Sequence, residues 1–159
     1  MIPKIIHKVL LVDDGKIPKL PEGLSKALES FYRLNPEYKV KIYSGDDCVK
    51  YINEHFDEET LNLYKTLKPY SYRCDFMRHL ILYNEGGWYS DIRQICLQPL
   101  DLLNNTGKEY YTSIDCPPNQ NCMYTAFIGT IPKHPISKKM IELIKWNIEH
   151  KHYGLDCLY

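Results

Sequence analysis

Residues 72–91 read Tyr-Arg-Cys-Asp-Phe-Met-Arg-His-Leu-Ile-Leu-Tyr-Asn-Glu-Gly-Gly-Trp-Tyr-Ser-Asp. Apolar side chains recur at helical spacing from Arg73 to Asn84, which predicts a helix. The helix is expected to end at Gly86 and Gly87, because glycine takes positive φ values without strain. The residues from Trp88 to Arg93 then predict a strand. This stretch is therefore expected to fold as a helix, a turn and a strand.

The rest of the chain continues the alternation of strand and helix. Predicted elements are a strand at Ile5–Val12, a helix at 21–35, a strand at Val40–Tyr43, helices after Ser44 and after Asp57, strands at 109–114 and 123–128, and a helix at 136–148 on which Trp146 is expected to face the core. Strands that alternate with helices predict a single α/β domain with a mostly parallel central sheet flanked by helices. Ligands of such sheets bind outside the carboxyl ends of the strands.

Length and charge limit the possible classes of protein. The 159 residues include 20 basic and 20 acidic side chains, so the formal net charge is zero. A chain of this length buries about 70% of the surface of its unfolded form and needs no disulfide or metal staple. Zero net charge argues against nucleic-acid and anionic-membrane partners, because both require a surplus of basic residues. Nuclease chemistry would also need more converging carboxylates.

The sequence also predicts a compartment. No apolar run approaches the roughly 20 residues that span a bilayer, and no signal peptide opens the chain, so we expect no transmembrane segment and a cytoplasmic location. Six cysteines occur without a C-x-x-C pair, which favours reduced thiols over a zinc site or a disulfide scaffold. One domain is expected over residues 1–159.

Polar residues cluster around the two glycines. Asp75 and Arg78 are three residues apart on the predicted helix and therefore share a face, opposite the apolar stripe. In the predicted strand, Tyr89, Asp91 and Arg93 share a face by the same kind of argument. Carboxylates accept hydroxyl protons or hold a cation, and arginine matches phosphate oxygens, so these residues predict a sugar-diphosphate site. A plain surface ion pair between Asp75 and Arg78 is an equally good interpretation of their spacing.

Residues 72–91 closely resemble the signature of glycosyltransferase family 32, in which an Asp and an Arg precede an apolar helix, two glycines and Tyr-x-Asp-x-Asp. The opening run Ile2-Pro3-Lys4-Ile5-Ile6-His7-Lys8-Val9 and the run Asn35-Pro36-Glu37-Tyr38 resemble two further landmarks of that family. The resemblance covers about residues 1–101, with a weaker echo at residues 133–135.

The resemblance implies a GT-A, Rossmann-like fold that binds a nucleotide-diphosphate sugar. It implies transfer of a hexose to an acceptor hydroxyl, with retention of configuration, in glycan or polysaccharide synthesis. Asp75 and Arg78 match the residues that grip the donor sugar, Asp91 matches the first acid of the DxD motif, and Tyr89 matches the tyrosine beside it.

The strand that touches the nucleotide base in the family is matched by residues 6–10. The resemblance therefore implies donor contacts from Ile6, His7, Val9 and Leu10. A histidine inside an apolar strand is also typical of a satisfied core residue, and both interpretations of His7 stay open. Leu10 stands where relatives often carry tryptophan, so base recognition is expected to differ.

The main departure from the family pattern is Arg93, which stands where the second DxD acid, a metal ligand, is expected. Asp91 is the one remaining predicted ligand for a divalent cation such as Mn²⁺ or Mg²⁺. Two hypotheses follow. In the first, Arg93 contacts the diphosphate directly while Asp91 holds the ribose or a weakly bound ion. In the second, the chain is a catalytically weak or inactive module that binds nucleotide sugars.

Other features carry weaker expectations. The proline-bearing loop 115–122 is expected to border the acceptor, and Cys74 to serve packing. His150 and His152 point to different sides of a helix and predict a solvated tail. Family members usually continue beyond Tyr159, so the chain is expected to be either a minimal protein or a segment truncated at its C-terminus. The sequence identifies neither the sugar, the nucleotide, the acceptor nor the oligomeric state.

Overall fold

The fold was analysed in a computed structural model that describes residues 1–114 and 123–153. The described strands are β1 (Ile5–Val9), β2 (Lys39–Tyr43), β3 (Gly87–Ser90), β4 (Tyr110–Ile114) and β5 (Met123–Thr130). The described helices are α1 (Glu22–Leu34), α2 (Gly45–His55), α3 (Glu58–Thr66), α4 (Tyr70–Glu85), α5 (Asp101–Asn104) and α6 (Pro135–Glu149). The predicted alternation of strand and helix is confirmed, and the loop 115–122 and the residues from 154 onward lie outside the described residues.

The strands form one sheet in the order β2-β1-β3-β5-β4. β1 pairs in parallel with β2 and β3, whereas β5 runs antiparallel to both β3 and β4. Four described strands therefore point the same way and β5 alone runs against them. This confirms the predicted α/β class with a mostly parallel sheet, and the antiparallel β5 makes the sheet mixed.

Alternation along the strands divides the core into two apolar layers. Val9 and Tyr89 join the layer that the sheet forms with α2, α3, α4 and α6, whereas Ile6 and Trp88 join the layer that includes Phe31 of α1. Successive side chains of a strand point to opposite faces, so each strand contributes to both layers. The sheet is thus covered on both faces, as parallel strands require.

Helix caps fix where the segments around the site begin. The Ser44 side chain accepts from the Asp47 amide while the Asp47 carboxylate accepts from the Ser44 amide, which closes a capping box at α2. Asp57 accepts from the amide of Thr60 at the start of α3. Both caps follow from the sequence signals at these positions.

The turn between α4 and β3 requires both of its glycines. Gly86 and Gly87 have φ values of 66° and 97°. A Cβ at Gly86 would lie 2.6 Å from the backbone nitrogen of Pro132, and one at Gly87 would lie 2.7 Å from the carbonyl oxygen of Ile5. Only glycine combines these φ values with such close backbone approach, and this allows β3 to run directly beside β1.

Three predicted boundaries or orientations are wrong. β1 ends at Val9 rather than Val12. β3 ends at Ser90 rather than Arg93, because the chain turns after Asp91 and the Gln94 backbone amide bonds back to the Asp91 carbonyl. Trp146 is 49% exposed and stacks on the ring of His150, with ring centroids 4.2 Å apart, instead of entering the core. Helical spacing places Trp146 at the rim of the buried stripe of α6, where an adjacent imidazole provides the stacking partner.

In the described part of the chain, no helix combines the length and the apolar character needed to cross a membrane. Among the described cysteines, Cys48, Cys74 and Cys96 are free thiols.

His7 joins β1 to its neighbours from inside the core. It has no exposed surface, its Nε2 lies 2.9 Å from the Gly86 carbonyl oxygen, and its Nδ1 lies 3.1 Å from the Tyr43 hydroxyl. A carbonyl only accepts, so Nε2 carries the proton and Nδ1 accepts from Tyr43. Desolvation lowers the pKa of His7 to about 4, since burial penalises the charged imidazolium.

We expect acid to destabilise the fold through His7. As the pH falls below about 6.5, His7 of the unfolded chain binds a proton, whereas His7 of the folded chain binds one only near pH 4. The free energy of unfolding therefore decreases between about pH 6.5 and pH 4. At about 1.4 kcal/mol per pKa unit, the loss is on the order of 3 kcal/mol. Denaturant unfolding between pH 7 and 4 measures it. His7→Gln, which keeps a donor toward Gly86, should reduce this pH dependence, and the part that remains comes from groups such as buried His79, whose pKa desolvation lowers to about 3. His55→Gln, at an exposed histidine, should leave the pH dependence unchanged. Equal slopes in all three proteins would contradict this assignment.

Candidate functional site

The first half of the site is a buried ion pair on α4. Arg78 Nη2 lies 2.8 Å from Asp75 Oδ1, and the two side chains are 6% and 15% exposed. α4 is buried from Phe76 through Leu82, because it lies between the sheet and α6. The expectation of a polar helix face opposite the apolar stripe is therefore wrong, and so is the alternative of a solvated surface pair. A buried pair of this kind is strongly sensitive to loss of either partner.

The second half of the site comes from the residue that follows β3. Asp91 Oδ1 accepts from the Tyr89 hydroxyl at 2.8 Å and lies 3.4 Å from Arg78 Nη2. The Asp91 amide donates to the Ala126 carbonyl at 3.0 Å, which holds its backbone against β5. The Asp91 side chain is 41% exposed, so a carboxylate anchored by buried groups faces solvent.

Arg78 therefore brings together the residues that the sequence placed on separate elements. Its Nη1 donates to Thr125 Oγ1 on β5 at 2.9 Å, and its guanidinium lies 4.7 Å from the centroid of the Tyr89 ring. The guanidinium is enclosed by protein groups and fixes the orientation of Asp75 and Asp91. Two carboxylates around one buried cation leave acceptor capacity directed toward solvent, which suits sugar or ribose hydroxyls.

Burial sets the protonation behaviour of this cluster. Desolvation raises the pKa of the Asp75 carboxyl, and the neighbouring Arg78 charge partly offsets that rise. Desolvation also raises the pKa of the Tyr89 phenol well above its ordinary value, so the phenol stays protonated and donates to Asp91. The cluster thus combines one hydrogen-bond donor, the Tyr89 hydroxyl, one cation, the Arg78 guanidinium, and the two acceptor carboxylates described above.

The other two arginines of the predicted cluster lie elsewhere. Arg73 donates from Nε to the Leu67 carbonyl at 2.6 Å and lies over the Tyr64 ring, so it closes the end of α3. Arg93 does not share a strand face with Tyr89 and Asp91, because β3 has already ended. It lies exposed in the turn after Asp91, and makes no hydrogen bond or ion pair with the part of the chain that the structure describes. Its guanidinium is available to a ligand.

The β1 residues divide between core and strand end. Ile6 and Val9 are buried in opposite apolar layers, and both ring nitrogens of His7 bond to protein atoms. The satisfied-core interpretation of His7 is thus what its contacts support. Leu10 is half-buried and follows the carboxyl end of β1, with its amide bonded to the Tyr43 carbonyl. Their contacts with a nucleotide stay a prediction, and Leu10 is the best placed of the four.

Three residues near the site were missed in the sequence. Thr125 on β5 contacts Arg78, while Lys8 and Gln94 contact the turn around Asp91. Lys8 did have a sequence signal, since it is a charged residue inside an apolar strand. Both faces of such a strand are covered in an α/β fold, so the lysine must either be buried or interrupt the strand. Thr125 had no such signal, since its contact with Arg78 joins residues 47 apart in the chain. Gln94 bonds to Ser90 and Asp91 only a few residues away, but a glutamine in a turn is not by itself a signal of a site.

The donor set near Asp91 does not fit a metal ion held by the protein alone. Among the described residues no three His, Cys, Asp or Glu side chains are grouped so that they could hold a metal. Asp75 is already paired with Arg78, and a guanidinium stands two residues after Asp91 where a second carboxylate would complete the motif. Magnesium can be held by one carboxylate together with substrate phosphates, so Asp91 stays the predicted ligand only for an ion that arrives with a phosphorylated substrate.

Comparison with known proteins agrees with this geometry. Residues 21–113, more than half of the chain, match the family described as the glycosyltransferase sugar-binding region containing the DXD motif. The matched segment includes Asp75, Arg78, Tyr89 and Asp91.

Curated relatives point the same way. An uncharacterized glycosyltransferase of Acanthamoeba polyphaga mimivirus is 29% identical, over 86% of this chain and 53% of its own length. Inositol phosphoceramide mannosyltransferase 2 of Schizosaccharomyces pombe is 27% identical, over 99% of this chain and 42% of its own. A mannosyl phosphorylinositol ceramide synthase of Saccharomyces cerevisiae is 26% identical, over 91% and 35%. The chain thus spans about half or less of the length of these relatives.

One solved structure, the PaToxG Glycosyltransferase, superposes with a TM-score of 0.70 at 19% identity, over 95% of this chain and 63% of that one. This likeness shows that the two chains share a fold.

Removal of the buried guanidinium should destabilise the protein. We expect Arg78→Met to lower the free energy of unfolding at pH 7 by about 3–5 kcal/mol, because it leaves buried Asp75 without its cation. The deficit should shrink as acid protonates that carboxyl. Chemical denaturation at pH 7 and 5 tests both statements. Arg33→Met, at an exposed arginine of α1, is the control and should change stability by less than about 0.5 kcal/mol. A cost at Arg78 as small as at Arg33 would show that the pair is not buried.

Proposed function

The chain belongs to the glycosyltransferase family that carries the DXD sugar-binding region, and we propose that it is itself a glycosyltransferase that binds a nucleotide-diphosphate sugar and transfers its hexose to an acceptor hydroxyl. The observation that carries this proposal is the convergence of Asp75 and Asp91 on one buried guanidinium at the end of β3. This is the edge of the sheet at which α/β proteins bind ligands.

In the proposed complex, the donor lies across the carboxyl ends of β1 and β3. The carboxylates of Asp75 and Asp91 accept from hydroxyls of the sugar and the ribose, and Arg78 keeps both carboxylates in place from within the protein. The nucleotide base lies against the end of β1, where Leu10 is partly exposed. The diphosphate lies toward the turn that carries Arg93.

Catalysis is proposed to rest on position and electrostatics. As the bond between the anomeric carbon and the diphosphate breaks, positive charge grows on the sugar and negative charge on the leaving group. The two carboxylates stabilise the first charge and the Arg93 guanidinium the second. Because the described site offers no dedicated general base, we propose that the leaving phosphate accepts the acceptor proton on the same face, which retains the anomeric configuration.

The relatives suggest which sugar to test first. Two of the relatives described above are named for transferring mannose to a phosphoinositol-containing ceramide. We therefore propose a nucleotide-diphosphate mannose as the donor and a glycan or glycolipid hydroxyl as the acceptor. A single domain over residues 1–159 and a cytoplasmic location stay predictions from the sequence.

Arg93 also supports a second candidate function, a donor-binding module with little or no transfer activity. A guanidinium in place of a metal-binding acid could preserve binding while slowing departure of the diphosphate. Donor hydrolysis separates the two candidates, because a transferase slowly hydrolyses its bound donor in the absence of acceptor whereas a pure binding module does not.

Donor binding is expected to depend on Asp75. In a screen of guanosine and uridine diphosphate sugars, calorimetry should detect at least one that binds and is slowly hydrolysed. Asp75→Asn keeps the shape but replaces a charged acceptor by a weaker neutral one, so affinity should fall by roughly 10- to 100-fold. Because Asp91 still compensates Arg78, we expect the variant to lose stability but to remain folded, which a binding stoichiometry near one would show. Asp57→Asn, at the exposed cap of α3, should bind like the unchanged protein. Equal affinity for both variants would remove Asp75 from the site.

The requirement of donor hydrolysis for a metal ion is expected to depend on the side chain at position 93. The unchanged protein should hydrolyse its donor in the presence of chelator, because Arg93 supplies the positive charge at the diphosphate. Arg93→Asp completes the acidic motif and should make hydrolysis dependent on added Mn²⁺ or Mg²⁺, with at least about a tenfold difference between metal and chelator. Strict metal dependence of the unchanged protein would contradict direct substitution by arginine.

A further inference from the structure

Lys8 is a lysine with no exposed surface, on the face of the sheet opposite α4. Its Nζ lies 3.1 Å from Ser90 Oγ and 3.2 Å from the carbonyl oxygen of Asp91. It also lies 3.7 Å from the centroid of the Phe31 ring, which gives the ammonium a cation–π contact from α1. Within the described residues no carboxylate lies at ion-pair distance from it.

The contacts of Lys8 continue into the turn after β3. Ser90 Oγ donates to Gln94 Oε1 at 2.7 Å, and Gln94 Nε2 donates to the Tyr124 hydroxyl at 3.3 Å. The Gln94 backbone N–H donates to the Asp91 carbonyl oxygen at 3.1 Å, and this oxygen also accepts from Lys8 Nζ. Both ends of the turn from Asp91 to Gln94 are thereby joined to Lys8.

Asp91 is consequently held from both faces of the sheet. On the α4 face its carboxylate accepts from Tyr89 and Arg78, and on the α1 face its carbonyl accepts from Lys8. A buried ammonium is costly, and its cost is offset here by carbonyl and hydroxyl acceptors that all belong to Ser90 and Asp91. An apolar residue would fill the same space without that cost, so packing alone does not account for a lysine.

We propose that Lys8 is a positioning residue of the donor site, which fixes the turn 91–94 so that Asp91 and Arg93 project toward the donor. The identity of the ligand that the turn binds rests on the proposed function. The way in which the turn is held rests only on the contacts of Lys8. Lys8 has no exposed surface and does not touch the donor itself.

Hydrogen exchange tests how the turn is held without any substrate. Lys8→Met has nearly the length of lysine and removes the ammonium, so the variant should stay folded while the hydrogen-bonded backbone amides of Asp91 and Gln94 exchange at least about tenfold faster. Lys41→Met is the matched control, since Lys41 lies on β2 and pairs with Glu85 instead. It should leave exchange of this turn unchanged. Unchanged exchange in Lys8→Met, with the core amides protected, would overturn the proposal.

Kinetics then test the consequence for chemistry. In Lys8→Met, kcat for donor hydrolysis should fall at least about tenfold with donor affinity changed less than about threefold, because the displaced groups act mainly as charge develops. Calorimetric stoichiometry near one in the variant excludes a simple loss of folded protein. Gln94→Leu should produce a similar loss, and the double variant little more, as expected for residues that act through one turn.

The outcomes separate the two proposals. If the unchanged protein binds no nucleotide sugar, the proposed function fails while the exchange measurement still decides the role of Lys8 in the turn. If the unchanged protein turns over its donor and Lys8→Met does so equally well, the positioning role fails and the proposed function stands. If Lys8→Met unfolds, Lys8→Leu and Ser90→Ala repeat the exchange measurement, and unchanged exchange of the turn in these variants overturns the proposal.

Discussion

The site depends on one buried guanidinium between two carboxylates. Arg78 lies 2.8 Å from Asp75, one turn away on α4, and 3.4 Å from Asp91, which follows β3. A buried cation must be compensated, so the end of β3 has to lie against the middle of α4. The close turn at Gly86 and Gly87 permits this approach, because any side chain there would collide with the backbone of Pro132 or Ile5.

The same constraint gives the site its chemical character. The Arg78 guanidinium is enclosed by protein groups, whereas the Asp91 carboxylate that it anchors is partly exposed. Arg93 is exposed nearby, with no ion pair to the described residues. Anchored acceptors beside an exposed cation suit a ligand that carries hydroxyls at one end and phosphates at the other. Lys8 contributes from the opposite face of the sheet, where it holds the backbone of Asp91 rather than its side chain.

Local sequence signals predicted five of the six described helices and missed the short α5; α4 begins at Tyr70, three residues before the predicted start. The capping residues Ser44 and Asp57 and the glycines after α4 act within a few residues of their own position, so their effects can be read directly. Periodicity was less informative for side-chain orientation. It placed Arg78 on an exposed face, whereas α6 and the sheet cover that face. It also extended β3 to Arg93, whereas the chain turns after Asp91, where the Gln94 backbone amide bonds back to the Asp91 carbonyl.

The sequence by itself determined the α/β class, the family pattern and the residue types available to the site, because these depend on local propensity and on spacing within one segment. Only the tertiary structure decided that Asp75 and Asp91 share Arg78, that Thr125 joins them, and that Lys8 is buried beneath the turn. Apart from the pair Asp75–Arg78 within α4, these contacts join residues that are 13 to 83 positions apart in the chain. Their geometry follows from how strands order in the sheet and which helices cover it, and no local pattern encodes that arrangement.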